Sequence, residues 1–208
     1  MQENGYKVQG IGDTEWLKIE SITTEVKDQG ETADGMSVVE MQLKNSVIAP
    51  FLSESRSETE KLILDTLSFY QDSNNITPDC SQFNFIYTCS PHVPFLFDEN
   101  GENVAAVNYN NWEDPKYYVG QYRFVMNQIT KITETIIEND PNSVIVLQSD
   151  HGPRHSEGLT LEEKTNILNC VYYMGENISQ IEGMSSVNTL RFILNRLLEC
   201  KLEEVPVR

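Results

Sequence analysis

The three histidines of this 208-residue chain fall in two short segments that contain proline and glycine. One segment, LQSDHGPRH, runs from Leu147 to His155 and carries Asp150, His151 and Gly152. A carboxylate and a neutral imidazole are ligands for zinc or manganese, and an irregular loop can turn both toward one ion. A glycine beside them lets the backbone approach a neighbour closely or adopt a positive φ. The pair is therefore a candidate for half of a metal site, although Asp-His-Gly also occurs in ordinary loops.

His155 and His92 are the other candidates. His155 could serve as a further metal ligand or phosphate donor, and it is equally compatible with an ordinary exposed histidine. His92 lies in SPHVPF, where the flanking prolines cannot donate to a sheet and therefore place it on a loop. It is either incidental to a rigid surface loop or a group that contacts a phosphate or sulfate oxygen.

Both histidine segments follow predicted strands. FNFIYTC, residues 83–89, is rich in aromatic and β-branched residues, which favours a strand. VIVL, residues 144–147, is a continuous apolar run, which is typical of a central strand in a parallel sheet covered on both faces. Ligands of open α/β sheets bind beyond the carboxyl ends of the strands. If these two strands are parallel, the histidine segments leave the same edge of one sheet.

The rest of the chain alternates between helical and strand patterns. Strands are predicted at Lys7–Gly12 and Asn169–Met174, and helices at Met36–Leu52 and Asn188–Cys200. A capping box at 57–60 predicts another helix start, with Ile63, Leu67 and Tyr70 on one face. The clearest helix, residues 116–138, has an apolar stripe with spacings of three and four. Its members are Tyr118, Tyr122, Val125, Ile129, Ile132 and Ile136. This order predicts one α/β domain over residues 1–208.

Composition excludes several classes of protein. The net charge of −17 and pI of about 4.4 disfavour nucleic acid and anionic lipid as partners. No apolar run approaches the roughly 20 residues of a membrane span, and no signal peptide opens the chain. The four cysteines form no C-x-x-C pair, so a zinc ribbon is disfavoured. Cys89 and Cys170 lie in apolar runs, where we expect buried free thiols rather than disulfides.

Several segments, in order, resemble sulfatase-like proteins of the alkaline phosphatase superfamily, most closely a bacterial membrane-anchored group. SVIVLQSDHGPR, with the preceding helix that carries YYVGQYRFVMNQITKI, resembles the C-terminal half of their catalytic domain. SPHVPFLFDENGE is similar to their His-x-Pro-Phe segment and its acidic, glycine-containing turn. SVNTLRFILNRLL resembles their Asn-Thr-x-Arg segment, and GYKV resembles the strand after their nucleophile region. The resemblance extends from about Gly5 to Leu198.

The resemblance implies a partial alkaline-phosphatase-like three-layer fold, with a mostly parallel sheet flanked by helices. Asp150 and His151 would be metal ligands. His92 would be a catalytic residue that faces the phosphate or sulfate group, or it would help to bind the metal. His155 would contact substrate or metal. The implied cofactor is a divalent metal, zinc or manganese first, with calcium or magnesium as alternatives.

Three further positions match the family's Asn-Thr-x-Arg segment: Asn188, Thr189 and Arg191. We expect them to cap and pack a helix rather than to contact substrate.

The family's nucleophile and first acidic metal ligand have no counterpart in the chain. We therefore expect a fragment of a metal-dependent phosphoric or sulfuric ester hydrolase or phospho-group transferase, inactive alone because those residues lie upstream. The parent protein would act on a phosphate- or sulfate-ester substrate at the extracytoplasmic face of a bacterial membrane. Its anchor would lie outside this soluble piece. The alternative is a pseudoenzyme or binding module that keeps the fold without the chemistry.

Overall fold

The computed structural model describes residues 5–12, 53–71, 75–76, 81–107, 113–153, 159–176, 178 and 181–206. The chain divides into two compact units, Met1–Asp140 and Pro141–Arg208, and each is described here by itself. The helix predicted for Met36–Leu52 lies outside the described residues. Within them, no helix is both long and apolar enough to cross a bilayer.

Among its described residues, the first unit contains a parallel strand pair, a hairpin, two α-helices and a 3-10 turn at Phe69–Gln71. Strand β1 (Lys7–Gly12) pairs in parallel with β2 (Gln82–Tyr87) along its whole length. Helix α1 (Ser53–Ser68) lies in the long connection that a parallel pair requires, and it packs on β1. Strands β3 (Phe95–Phe97) and β4 (Asn103–Val107) then form an antiparallel hairpin. The predicted strands at 7–12 and 83–89 are thus confirmed, whereas the hairpin was not predicted.

Helix α2 (Pro115–Asn139) confirms the longest predicted helix. Asp114 caps its start, since the Asp114 side chain accepts a hydrogen bond from the Lys116 N–H at 3.1 Å. Proline is favoured at the first helical position, where its missing N–H costs no bond. The predicted stripe is confirmed at Val125 and Ile132, which are buried, but Tyr122 is 38% exposed.

The core of the first unit joins α1, β3 and α2. Its buried residues are Ile63, Leu67, Tyr70, Leu96, Phe97, Phe124, Val125 and Ile132. The face predicted for the α1 region is therefore confirmed. The predicted helix start is wrong, because α1 begins at Ser53 and residues 57–60 lie inside it. Glu60 instead accepts a hydrogen bond from the Asn103 side chain at 2.9 Å.

In the part of the second unit that the structure describes, there are two strands and two helices. Strands β5 (Val144–Gln148) and β6 (Asn169–Tyr173) pair with each other, and a short helix, α3 (Leu161–Thr165), lies between them in the chain. Thr160 and Glu163 form a capping box at the start of α3. Helix α4 (Ser186–Leu198) follows, with Ser185 as its N-cap.

The prediction that residues 144–147 form a central parallel strand is wrong. Strand β5 pairs antiparallel with β6, from Val144 opposite Tyr173 to Gln148 opposite Asn169. Its apolar residues are only partly buried, and Gln148 is exposed. A short apolar run is compatible with either strand direction, so its periodicity could not decide between them.

The cysteines depart from expectation in burial. Cys170 and Cys200 are free thiols, as expected. Cys89 and Cys170 are nevertheless exposed, so the prediction that they pack as buried hydrophobes is wrong. Cys170 lies on the partly solvated β6, where alternate positions of a two-stranded sheet face water.

Candidate functional site

Asp150 and His151 lie on the loop directly after β5. The His151 Nε2 atom is 3.6 Å from Asp150 Oδ2. The Asp150 side chain is 88% exposed and that of His151 is 25% exposed. The structure therefore brings together the two residues predicted as metal ligands, at a position open to solvent.

Backbone hydrogen bonds fix the loop on both sides of this pair. On one side, Ser149 donates through its N–H to Leu168 O at 3.0 Å, and Leu168 N–H donates to Ser149 Oγ at 2.9 Å. On the other side, Gly152 N–H donates to Lys164 O at 3.0 Å. The loop thus spans two anchors with Asp150 and His151 between them.

Position 152 requires glycine because the backbone at the end of α3 lies close to it, not because its φ is positive. It is buried, and an added Cβ would lie 2.4 Å from Glu163 O and 2.8 Å from Asn166 O. Its φ lies outside the positive region, unlike that of Gly175 in the same unit. Of the two roles expected for this glycine, the structure shows the first, since any side chain would push the loop away from the end of α3.

The hydrogen bonding of His151 suits metal ligation. Its Nδ1 lies 2.6 Å from Gly152 O, and a carbonyl only accepts, so Nδ1 carries the proton. In the neutral ring the lone pair is then on Nε2, the atom next to Asp150. Two donors bound to one tetrahedral zinc ion lie roughly 3.4 Å apart, given bond lengths of about 2.0–2.1 Å. The observed 3.6 Å separation fits a shared ion with little rearrangement.

The pair remains half of a ligand set. Across the described ranges, no third His, Cys, Asp or Glu joins a group that could hold a metal. Structural zinc sites use four protein ligands and catalytic sites use three, so two donors alone predict weak affinity. His155, the predicted additional contact, lies outside the described residues.

A polar network connects the end of β5 to α4. Gln148 Nε2 donates to Asn169 Oδ1 at 2.9 Å and to Ser186 O at 3.1 Å. Asn169 Nδ2 donates in turn to Thr189 Oγ1 at 3.0 Å, and Thr189 is fully buried. The packing role expected for Thr189 is therefore confirmed. The network fixes the strand end from which the Asp150–His151 loop departs.

His92 lies on a loop between β2 and β3, as the flanking prolines predicted. Its side chain is exposed, whereas its neighbours Ser90 and Val93 are buried. The His92 N–H donates to Cys89 O at 2.7 Å, and its Nδ1 lies 2.9 Å from Val93 O. The loop therefore holds its backbone inward and presents the imidazole at the surface.

Gln121 on α2 is the residue that holds this loop, and sequence reasoning missed it. Its side chain is fully buried, and Oε1 accepts hydrogen bonds from Leu96 N–H at 2.7 Å and Phe97 N–H at 3.3 Å. Its Nε2 donates to His92 O at 3.2 Å and to Pro94 O at 3.4 Å. A polar residue within the apolar stripe of a predicted helix was the available signal, since such a group must find partners when buried.

The predicted common edge for the two histidine segments is not formed by the described strands. His92 follows β2, which pairs with β1 in the first unit. Asp150 and His151 follow β5, which pairs with β6 in the second. The surroundings of His92 are therefore described only within the first unit, and those of Asp150 and His151 only within the second.

Comparisons with known proteins add no relative. The chain matches no protein-family model, and neither a curated protein nor a solved structure matches it.

Proposed function

We propose that this chain supplies the Asp150–His151 half of a divalent-metal site in an enzyme that cleaves or transfers phosphate or sulfate esters. The observation that carries the proposal is the 3.6 Å approach of a carboxylate and an imidazole on an anchored loop after a strand. The resemblance to sulfatase-like proteins of the alkaline phosphatase superfamily supplies the reaction class. The three-layer fold of that superfamily belongs to the same proposal.

In this proposal Asp150 and His151 bind the ion, zinc or manganese, as an anionic and a neutral donor. When bound, such an ion polarises ester oxygens and lowers the pKa of a coordinated hydroxyl or water. The contribution of the protein is orientation. His151 keeps its proton on Nδ1 through the Gly152 carbonyl, so Nε2 stays available as a ligand. The anchors at Ser149 and Gly152 limit how far the pair can separate.

His92 has a different role in the proposal. With its Nδ1 bonded to Val93 O, His92 would donate to a transferred phosphate or sulfate group from Nε2 as the imidazolium, and so stabilise the negative charge on that group. Gln121 holds the backbone of that loop, so the imidazole is presented without a large entropic cost of ordering. The remaining groups, a hydroxyl nucleophile and a first acidic ligand, would come from outside these 208 residues. The isolated chain is therefore proposed to bind metal weakly and to turn over no ester.

Metal titration of the full chain tests the ligand assignment. We expect calorimetry with Zn²⁺ or Mn²⁺ to show weak binding that falls at least tenfold in Asp150→Asn. The substitution keeps the shape of the side chain and removes its charge. Because the chain carries a net charge of −17, a matched control must remove one carboxylate elsewhere. Glu182→Gln, at an exposed position of the same unit, should change the affinity less than twofold.

A binding module that keeps the fold without chemistry is the second candidate function. The lack of a third ligand near Asp150 and His151 among the described residues favours it. The same titration distinguishes the two candidates. If the unaltered chain, Asp150→Asn and Glu182→Gln bind Zn²⁺ or Mn²⁺ with equal affinity, Asp150 is not a metal ligand and the binding module is the better candidate.

A further inference from the structure

The segment after α4 lies along that helix and is held through its backbone. Asn195 Nδ2 donates to Leu202 O at 2.9 Å, and Leu202 N–H donates back to Asn195 Oδ1 at 2.8 Å. Asn188 repeats the arrangement with Val205, at 2.9 Å in both directions. Two asparagines seven positions apart thus bind two residues three positions apart, and the segment runs antiparallel to α4.

These spacings define the conformation of the segment. Seven helical residues rise about 10.5 Å, and three residues of polyproline II rise about 9.3 Å. In a flat strand, residues three apart present their backbone groups to opposite sides. In a polyproline-II helix, with three residues per turn, they face the same side. Leu202 and Val205 both turn their N–H and C=O toward α4, an arrangement that a polyproline-II segment allows and a flat strand does not.

The hydrogen bonds that hold the segment run to its backbone atoms. Leu202 and Val205 are 41% and 42% exposed, and every residue from 201 to 206 is exposed. The helix side of the contact is better buried, since Asn188 is 6% exposed beneath the segment. Four hydrogen bonds with modest net stabilisation must offset the entropy of ordering the segment, so docking is closely balanced.

We propose that α4 carries a docking site for a polyproline-II segment, and that the chain's own Leu202–Val205 segment occupies it as a latch that opens as a unit. The site accepts hydrogen bonds from two backbone N–H groups three residues apart. It accepts proline between and after them, as Pro206 after Val205 illustrates. This proposal is independent of the metal site.

Proline substitutions test the latch, because proline fits polyproline II and removes only one N–H. Amide hydrogen exchange would be measured by NMR on the full chain. We expect Leu202 and Val205 amides in the unaltered chain to exchange at least tenfold more slowly than those of Glu203 and Glu204, after correction for intrinsic rates. Leu202→Pro should remove most of the protection at Val205, since loss of one anchor opens the whole segment.

Glu204→Pro is the matched control. The Glu204 N–H donates no hydrogen bond to any described residue, so this substitution should leave the Leu202 and Val205 amides protected from exchange. Amide protection of residues 189–198 should persist in both variants, which separates an open latch from an unfolded α4. Unprotected Leu202 and Val205 amides in the unaltered chain would overturn the docking site. Unchanged protection of Val205 in Leu202→Pro would overturn the concerted latch.

Discussion

Replacing Gln121 with leucine should destabilise the first unit by about 3 kcal/mol. Leucine keeps most of the volume but removes the acceptor of two N–H groups, those of Leu96 and Phe97. A buried polar group left unpaired costs about 1–3 kcal/mol, so the two together cost roughly 2–6 kcal/mol. The bonds to His92 O and Pro94 O are only partly buried, so their loss adds less. Burial of the added apolar surface recovers roughly 1 kcal/mol.

Denaturant unfolding, combined with amide exchange, measures this loss. The amides of Leu96 and Phe97 report directly on the first unit and should exchange faster in Gln121→Leu. Gln128→Leu on the same helix is the control, because Gln128 makes its hydrogen bond to Gln71 at the surface. It should cost less than about 1 kcal/mol. If both variants lose the same stability, or if Leu96 and Phe97 exchange unchanged, the clamp assigned to Gln121 is refuted.

Two further predictions concern a close contact and a titrating carboxylate. Gly152→Ala should destabilise the second unit by roughly 1–3 kcal/mol in thermal unfolding, because its Cβ would overlap Glu163 O. At Gly120, within α2, an added Cβ would have its nearest neighbour 3.5 Å away, so Gly120→Ala should instead raise stability by about 0.5–1 kcal/mol. Equal changes in stability for the two variants would refute the contact argument. Backbone hydrogen bonds, first that of Glu102, hold the pKa of Asp98 below its usual range. Its stabilising contribution is thus present above about pH 4 and is lost as pH falls through the lowered pKa, so the stability deficit of Asp98→Asn should be smaller at pH 2 than at pH 6. An equal deficit at both pH values would contradict this.

The sequence predicted those elements whose signals are local. Helix α2 was predicted within one residue at each end, because its apolar stripe depends on spacings within the helix itself. The loop position of His92 followed from prolines that cannot donate to a sheet. The start of α1 was predicted four residues too late, because a capping-box sequence is also compatible with a helix interior.

Features that depend on distant partners were not predictable in this way. The antiparallel pairing of β5 depends on β6, 20 residues further along the chain, and an apolar run carries no direction. Gln121 acts through backbone groups more than 20 positions away, so its role appears only in the folded chain. The adjacency of Asp150 and His151 was visible in the sequence. The anchoring of their loop by Leu168 and Lys164 was not.

If Asp150 and His151 bind one metal ion together, the ¹⁵N resonances of the His151 imidazole must respond to that ion. In the full chain labelled with ¹⁵N-histidine, addition of Zn²⁺ should shift the Nε2 resonance of His151 and leave its Nδ1 protonated, as the bond to Gly152 O requires. The shift should be much weaker in Asp150→Asn. If the His151 Nε2 resonance does not shift on addition of Zn²⁺, or shifts equally in Asp150→Asn, the two residues do not bind one ion together.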